Sequence, residues 1–230
     1  MAVHTGIIVQ CRMSSSRFPG KVLHTVHGKP MLQYTLERLT RCSGGMLVVS
    51  TSDRPEDEAV VRFCESLEIP CHTGPLENVA LRFARTVDHF GFDSFVRICG
   101  DSPLMDFRLV DRAMTIFGAG GVRMVSNVLR RTFPKGQSVE MLDAQFFLNH
   151  VDRMVSSAEQ EHVTPYCYTH LPPSDIASFE SGGEWGNVQQ SVDTVEDMAS
   201  FGSLIAAMQR PHWEYGYADI LAMQGYTVNA

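Results

Sequence analysis

The first 36 residues of this 230-residue chain lack aspartate and glutamate, although the whole chain has 26 acidic residues, 19 basic residues and a formal net charge of −7. Three basic residues of this stretch, Arg12, Arg17 and Lys21, lie between positions 10 and 21. The apolar run Gly6-Ile7-Ile8-Val9 just before them is typical of a buried strand. Because α/β folds bind ligands beyond the carboxyl ends of strands, this cationic loop predicts a site for an oligophosphate such as a nucleotide.

Other absences exclude whole classes of protein. The six cysteines include no Cys-x-x-Cys pair, which argues against zinc and redox motifs. No apolar run reaches the roughly 20 residues that cross a bilayer, and no signal peptide is recognisable at the N-terminus. The excess of acidic residues argues against nonspecific nucleic-acid binding. We therefore expect a cytoplasmic protein that binds neither nucleic acid nor a membrane.

Strand-like and helix-like segments alternate along the first half of the chain. The patterns predict strands at 6–10, 46–50, 69–72, 95–99 and 122–126, and helices at 30–41, 55–67, 77–90 and 107–117. This alternation is typical of βαβ units, so we expect an α/β fold with a mostly parallel sheet. Further on, residues 130–143 read as an extended excursion, followed by helices at 143–155, 158–168 and 195–209 and strands at 176–180 and 188–192. Without a repeat or linker, we expect one domain over 1–230.

The loop at 10–21 matches neither common phosphate-binding motif. A Walker A loop would need glycine five residues before Gly20, and the dinucleotide pattern G-x-G-x-x-G is absent. A solvated basic turn is the alternative interpretation. Three cations separated by small residues, with no acid nearby, favour phosphate binding over that alternative.

Two aspartates follow predicted strands far apart in the sequence. Asp101 lies in Gly100-Asp101-Ser102-Pro103-Leu104, and Asp193 lies in Ser191-Val192-Asp193-Thr194. Carboxylates in a phosphate site usually hold Mg²⁺, which prefers oxygen ligands. The alternatives are a turn role for Asp101 and a helix-capping role for Asp193, which Thr194 can already fill. We predict Mg²⁺ as cofactor, with Asp101 and Asp193 as its ligands.

These segments together resemble those of cytidylyltransferases. The opening motif runs from Ile7 to Lys21 and continues as Gly28-Lys29-Pro30-Met31-Leu32, and Gly100-Asp101-Ser102-Pro103-Leu104 matches the Gly-Asp-x-Pro-Leu motif. Glu161-His162-Val163-Thr164-Pro165-Tyr166 and the segment from Val192 to Asp197 match later motifs in the same order. The nearest relatives are of the spore-coat polysaccharide synthesis protein F type, together with the 3-deoxy-manno-octulosonate and acylneuraminate enzymes.

The resemblance implies a three-layer α/β/α nucleotidyltransferase fold of the GT-A kind, CTP as donor, Mg²⁺ and a homodimer. It assigns Arg12 and Lys21 to the triphosphate, with Arg17 as a further partner, and Asp101 and Asp193 to the metal. Lys21, Arg12 and Asp101 are then the catalytic residues. This assignment agrees with nucleotidyl transfer, which needs an aligned acceptor oxygen and stabilisation of charge on the phosphates.

The remaining predicted substrate contacts come from four places: the loop after the first strand, the segment around 72–79, the turn at 100, and the excursion at about 127–190, which we expect to serve the acceptor and dimerisation. For the nucleotide they are Gln10, Ser14, Gly74, Asn78 and Gly100; for the acceptor they are Lys135, Gln137, Glu140 and His162. Relatives often read Pro-x-Gly-Leu-Asp-Val-Glu where this chain has Pro134-Lys135-Gly136-Gln137-Ser138-Val139-Glu140. The acceptor is therefore the part of the site in which this chain departs from the pattern.

We expect an Mg²⁺-dependent cytidylyltransferase that transfers CMP from CTP to a sugar acid or related small anionic acceptor, with release of pyrophosphate, for surface glycan synthesis. One alternative is transfer to a phosphorylated or phosphonate acceptor, which the basic residues Arg130, Arg131 and Lys135 equally favour. Another is an inert nucleotide-binding partner subunit. The presence of both predicted metal carboxylates together with Lys21 argues against an inert protein.

Overall fold

A seven-stranded sheet forms the centre of the protein in a computed structural model, which describes residues 4–228. The strands in chain order are β1 (Thr5–Gln10), β2 (Thr25–Val26), β3 (Lys29–Pro30), β4 (Met46–Ser52), β5 (Cys71–Gly74), β6 (Ser94–Cys99), β7 (Met124–Ser126), β8 (Glu140–Asp143) and β9 (Ile176–Ser178). The helices are α1 (Met31–Leu39), α2 (Glu58–Ser66), α3 (Val79–Phe90), α4 (Phe107–Gly118), α5 (Ala144–His150), α6 (Ser157–His162), α7 (Pro165–His170), α8 (Val195–Ala207) and α9 (Tyr217–Met223). Among the described residues, none of these helices is long and apolar enough to cross a bilayer.

The order of strands in the sheet is β5-β4-β1-β6-β8-β7-β9, and β2 and β3 form a separate antiparallel pair. Strands β5, β4, β1 and β6 run parallel to their neighbours, whereas β8 is antiparallel to both β6 and β7. The chain moves from β1 outward to β4 and β5 and then returns to β6 on the other side of β1. This reversal creates the crevice in which open α/β sheets bind their ligands.

Alternate residues of the central strands pack into two separate cores. Ile7 and Val9 of β1 contribute to one core, which also contains buried residues of α1, α2, α4, α8 and α9. Ile8 contributes to the other core, with buried residues of α3, α5 and α7. A strand that is apolar on both faces therefore lies between two helical layers, as expected for a parallel sheet. The predicted three-layer α/β/α arrangement is confirmed.

The patterns in the second half of the chain predicted its structure less well. The predicted strand at 188–192 is wrong: within this segment the structure has only an isolated bridge between Gln189 and Lys135. Strand β8 lies inside the stretch that we interpreted as an extended excursion, and α9 was not predicted. The excursion at 127–190 contributes β8 and β9 to the main sheet. The prediction of one domain covered residues 1–230, and a few residues at each end of that range lie outside the described part of the chain.

Gly136 fixes the excursion against the segment at 188–191. It has a φ of +93°, and a side-chain carbon at this position would lie 2.6 Å from the backbone nitrogen of Ser191. On either side of this close approach, Lys135 N–H donates to the carbonyl of Val188 and Gln190 N–H donates to the carbonyl of Lys135. Only glycine combines this backbone conformation with such a short distance.

A buried arginine joins α1 to the C-terminal region. Arg38 has no exposed surface, and its guanidinium donates to the backbone carbonyls of Met105, at 2.6 Å, and of His212 and Tyr215. Burial lowers the pKa of Arg38 to about 10, so the group remains charged at neutral pH. Arg38 thus holds the loop after β6 and the segment before α9 onto the same helix.

We predict that Arg38→Met lowers the free energy of unfolding by about 3 kcal/mol or more, because it leaves three buried carbonyls without donors. The matched control is Arg62→Met on α2, whose side chain is 65% exposed; it should change stability by no more than about 0.5 kcal/mol. Urea denaturation of both variants measures the difference. Equal effects of the two substitutions would contradict the role assigned to Arg38.

Candidate active site

A cleft of about 340 Å³ opens between the ends of β1 and β6, at the point where the strand order reverses. Five cationic side chains and three carboxylates line it: Arg12, Arg17, Lys21, Arg82 and Arg97, and Asp101, Glu161 and Asp193. Among the sequence-predicted residues, the structure brings together Gln10, Arg12, Arg17, Lys21, Gly100, Asp101, His162 and Asp193. An excess of positive charge in a chain of net charge −7 makes this cleft suited to a polyanion.

The cationic loop after β1 is held in place by a buried carboxylate and by its own backbone. Asp57 has no exposed surface and accepts a hydrogen bond from Met13 N–H at 2.6 Å. The Met13 carbonyl in turn accepts from Gly20 N–H at 2.8 Å, which closes the loop just before Lys21. The side chains of Arg12, Arg17 and Lys21 therefore reach the cleft from a backbone that is fixed at both ends.

Lys21 is the most buried of the three cations on this loop, with 8% of its side chain exposed. Its Nζ donates to the carbonyl of Val192 at 2.6 Å and lies 3.2 Å from Asp101 Oδ2 and 3.3 Å from Asp193 Oδ1. Asp193 Oδ1 also contacts Arg17 Nη2 at 2.8 Å. Two aspartates that are 92 positions apart in the sequence thus face each other across one ammonium group.

The turn after β6 approaches the end of β1 very closely. A side-chain carbon on Gly100 would lie 2.6 Å from Cys11 Cβ, and Gly100 N–H donates to the Gln10 carbonyl at 2.8 Å. Glycine is therefore required here. The close approach places Asp101, the next residue, in the same cleft as the cationic loop.

Asp101 and Asp193 fit a hard divalent cation, since both supply carboxylate oxygens to one point in the cleft. Over residues 4–228 no group of three or more metal-ligating side chains is present. Two protein carboxylates agree with the usual binding of Mg²⁺, in which substrate phosphates and water complete the coordination.

The β6 side of the cleft contains a buried ion pair. Arg97 Nη1 donates to Glu140 Oε2 at 2.7 Å, and Arg97 Nε donates to Gln10 Oε1 at 2.9 Å. Glu140 itself is buried below the cleft lining, with 5% of its side chain exposed. Of the predicted acceptor residues, His162 lines the cleft. Glu140 does not line it, but it binds Arg97, which does.

Two cleft arginines were missed by the sequence interpretation, although each carried a signal. Arg97 interrupts the apolar strand Phe95-Val96-Arg97-Ile98, and Arg82 lies three residues after Val79 on the buried side of α3. Arg82 is 1% exposed and its Nε has no hydrogen-bond partner in the described chain. Burial lowers the pKa of Arg82. A cation on a face predicted to be buried is the signal that would have identified both residues.

Three residues predicted to contact the nucleotide lie outside the cleft lining. Ser14 is exposed on the loop. Asn78 caps α3 by accepting a hydrogen bond from Leu81 N–H at 2.9 Å, and Gly74 is buried against the side chain of Arg82. Asn78 and Gly74 therefore shape the wall that carries Arg82.

Two residues predicted to contact the acceptor are also located elsewhere. The side chain of Lys135 is exposed, while its backbone pairs with the 188–190 segment. Gln137 is fully buried; its amide donates to the carbonyl of Leu104 at 2.7 Å and accepts from Asp106 N–H at 2.8 Å. In the structure Gln137 thus supports the loop that follows Asp101.

The two cysteines of the cleft are not activated as nucleophiles. Burial raises the pKa of the Cys99 thiol to about 11 and raises the pKa of Cys11 as well. Both are therefore neutral near pH 7 and poorly nucleophilic. The chemistry available to the cleft is positioning and charge stabilisation by the cations and carboxylates.

Comparison with known proteins agrees with this geometry. A profile of the cytidylyltransferase family matches residues 6–197. The spore coat polysaccharide biosynthesis protein SpsF of Bacillus subtilis is 27% identical over 89% of this chain and 88% of its own length.

Two solved structures share the fold along most or all of the chain. A cytidylyltransferase from Leptospira borgpetersenii superposes with a TM-score of 0.90 at 22% identity, covering 100% of both chains. A CMP:2-keto-3-deoxy-manno-octonic acid synthetase complexed with CTP gives a TM-score of 0.67 at 18% identity and covers 88% of this chain and 98% of its own. The family profile spans well over half of the described residues, so the chain belongs to the cytidylyltransferase family and is a nucleotidyltransferase.

Proposed function

We propose that this protein transfers CMP from CTP to a sugar acid in a reaction that depends on Mg²⁺ and releases pyrophosphate. The observation that carries the proposal is the position of Lys21 Nζ between Asp101 and Asp193, next to the cationic loop. The name of the CTP-bound structural relative supports a sugar acid as acceptor, and the name of the SpsF relative supports a role in surface polysaccharide synthesis.

In this reaction an acceptor hydroxyl oxygen bonds to the α-phosphorus of CTP. The bond between the α-phosphorus and the oxygen that bridges it to the β-phosphorus breaks at the same time. The hydroxyl proton passes to solvent and pyrophosphate leaves. Lys21 and Arg12 offset the charge on the α-phosphoryl group and the departing oxygens, and Arg17 contacts the outer phosphates. These side chains act from a loop that Asp57 already holds in place, so little reorganisation is needed.

Asp101 and Asp193 would hold the divalent cation, which supplies charge neutralisation at the phosphate oxygens when bound. A homodimer, a cytoplasmic location and the lack of nucleic-acid and membrane partners remain part of the proposal. They follow from the resemblance and the composition of the chain.

We predict that CTP with Mg²⁺ stabilises the protein against thermal unfolding more than UTP, ATP or GTP does. A ligand at about 100 times its dissociation constant adds roughly 2.7 kcal/mol to stability, and Mg²⁺ should increase the effect because it would neutralise charge on the triphosphate and on the two carboxylates. Scanning calorimetry with each nucleotide, with and without Mg²⁺, measures this. A larger shift with another nucleotide would contradict the cytidine assignment, and no shift with any of them would contradict the proposed function.

We predict that Asp101→Asn lowers turnover at least about a hundredfold, since the amide keeps the shape of the side chain but removes a charged metal ligand. Asp88→Asn on the exposed surface of α3 is the matched control and should retain activity. Pyrophosphate release measures turnover, and circular dichroism checks folding. A folded Asp101→Asn variant with near-wild-type turnover would rule out the metal assignment.

We predict that Lys21→Met lowers turnover but raises the affinity for Mn²⁺ in the absence of nucleotide. The substitution removes the ammonium that lies between Asp101 and Asp193. Among the described residues Asp101 then has no cationic partner and Asp193 keeps only Arg17, so the two carboxylates should attract a cation more strongly. Titration calorimetry with Mn²⁺ alone compares this variant with the wild type. Unchanged or weaker Mn²⁺ binding would show that the two carboxylates do not form the cation site.

A further inference from the structure

Arg97 lies in the cleft wall with most of its hydrogen-bonding capacity unused. A guanidinium group has five N–H donors. One Nη1 donor is taken by Glu140 and the Nε donor is taken by Gln10, while Nη2 has no partner within residues 4–228. Since Arg97 lines the cleft, its remaining donors are available to a ligand there.

The orientation of Arg97 is fixed from below by Glu140. These two residues form a directly opposed pair between β6 and β8. Glu140 Oε1 also accepts hydrogen bonds from Thr164 Oγ1 at 2.8 Å and Tyr168 OH at 2.7 Å. The carboxylate is thus held by three donors and cannot turn away from Arg97 without losing all of them.

The segment that supplies Thr164 is itself strained. Val163 has a φ of +69° and ψ of −49°, and Thr164 N–H donates to the His162 carbonyl at 2.8 Å, which forms the rare and strained type of γ-turn. A buried β-branched residue in this conformation persists only when its surroundings impose it. Here the turn brings His162 to the cleft and Thr164 to Glu140 at the same time.

The charge of Arg97 is retained despite its burial. Burial alone would lower the pKa of the guanidinium, but nearby negative charge raises it above its ordinary value. Cys99 is a neutral thiol near pH 7, because burial raises its pKa to about 11. Glu140, 2.7 Å from Nη1, therefore supplies the negative charge that balances the buried guanidinium.

Arg97 also lies on the opposite side of the cleft from the nucleotide-binding elements. The cationic loop follows β1, and Arg82 projects from α3, which follows β5 on the outer side of β4. Arg97 and Glu140 are on β6 and β8, beyond β1 in the other direction. An arginine placed there would face a second substrate, with the triphosphate left to Arg12, Arg17 and Lys21.

We propose that Arg97 binds the anionic group of the acceptor, and that Glu140 and Gln10 act as positioning residues for its guanidinium. The recognised chemistry is an oxyanion, supplied by the carboxylate of a sugar acid or by a phosphonate. This inference rests on the proposed function, since it assigns the acceptor side of the same site. It moves acceptor recognition from the 135–137 segment to a strand in the floor of the cleft.

The test uses pyrophosphate release at saturating CTP and Mg²⁺, with 3-deoxy-manno-octulosonate and N-acetylneuraminate as carboxylate probes, 2-aminoethylphosphonate as phosphonate probe and mannose as neutral probe. Arg97→Gln alone leaves the buried Glu140 carboxylate without a cationic partner and endangers folding. The main variant is therefore the double substitution Arg97→Gln with Glu140→Gln, which leaves an uncharged pair. Arg62→Gln, at an exposed arginine of α2 outside the cleft, is the matched control.

We expect the wild type to use a charged probe and not mannose, and the charged probe that is used identifies the oxyanion. In the double variant the KM for that probe should rise about ten- to a hundredfold, the loss expected for one charged hydrogen-bonding group. The KM for CTP should stay within about twofold of the wild-type value. Arg97→Lys should restore part of the acceptor affinity, and Glu140→Gln alone should raise the acceptor KM with a smaller effect on kcat.

An unchanged acceptor KM in the double variant would overturn the proposal, as would an equal rise in the KM for CTP, which would assign Arg97 to the nucleotide. Turnover of mannose, or a wild type that is stabilised by CTP but uses none of the charged probes, would also overturn it. A wild type that is not stabilised by CTP at all would instead mean that the proposed function has failed.

Discussion

The ammonium group of Lys21 joins three parts of the chain that are far apart in sequence. It lies just after the cationic loop, and it contacts Asp101 after β6 and both Val192 and Asp193 before α8, across separations of 80, 171 and 172 residues. Without that positive charge, two carboxylates would face each other in a partly buried cleft, where like charges repel strongly. The same three groups are those that a nucleotide and a divalent cation would engage. Under the proposed function, a phosphate that drew the ammonium away would leave the two carboxylates to a cation, and the binding of the two ligands would then be coupled.

The two buried arginines of the cleft, Arg97 and Arg82, differ in how their charge is balanced. The two sides of the cleft therefore differ in the charge of the ligand that suits them. Arg97 is paired with Glu140 at 2.7 Å, whereas Arg82 has no carboxylate within ion-pair distance among the described residues and has an unpartnered Nε. A buried cation without a partner is costly, and an anionic ligand offsets that cost when it binds. The side with Arg82 and the basic loop therefore gains most from a highly charged ligand, such as a triphosphate. The side with Arg97 is already near electrical balance and is suited to a ligand with a single negative group.

The cationic loop at the cleft could largely be predicted from the sequence, because its residues are close together along the chain. The loop at 10–21, with its cations, small residues and lack of acids, forms one continuous segment after one apolar strand, and the strands and helices of the first half have clear periodicity. Asp101 and Asp193 could be nominated because each follows a strand-like run and lies in a recognisable motif. Arg82 and Gly74 show the limit of this reasoning. Their packing against each other depends on how α3 lies over β5, which local patterns do not encode.

The acceptor side depends on strand register, which no local pattern in this chain predicts. Strand β8 has four residues and lies in a stretch with weak periodicity, yet its pairing with β6 sets Glu140 directly opposite Arg97. Lys135 and Gln137 are within five residues of Glu140, but Gly136 directs their segment toward residues 188–191 instead. The structure gives a role to Gln137, the first of the two residues, Gln137-Ser138, that replace the Leu-Asp of related sequences. The Gln137 amide bonds to the backbone of Leu104 and Asp106, so it supports the loop after Asp101, on the side that we propose for the metal. In our proposal the choice of acceptor falls to Arg97 and Glu140 in the sheet.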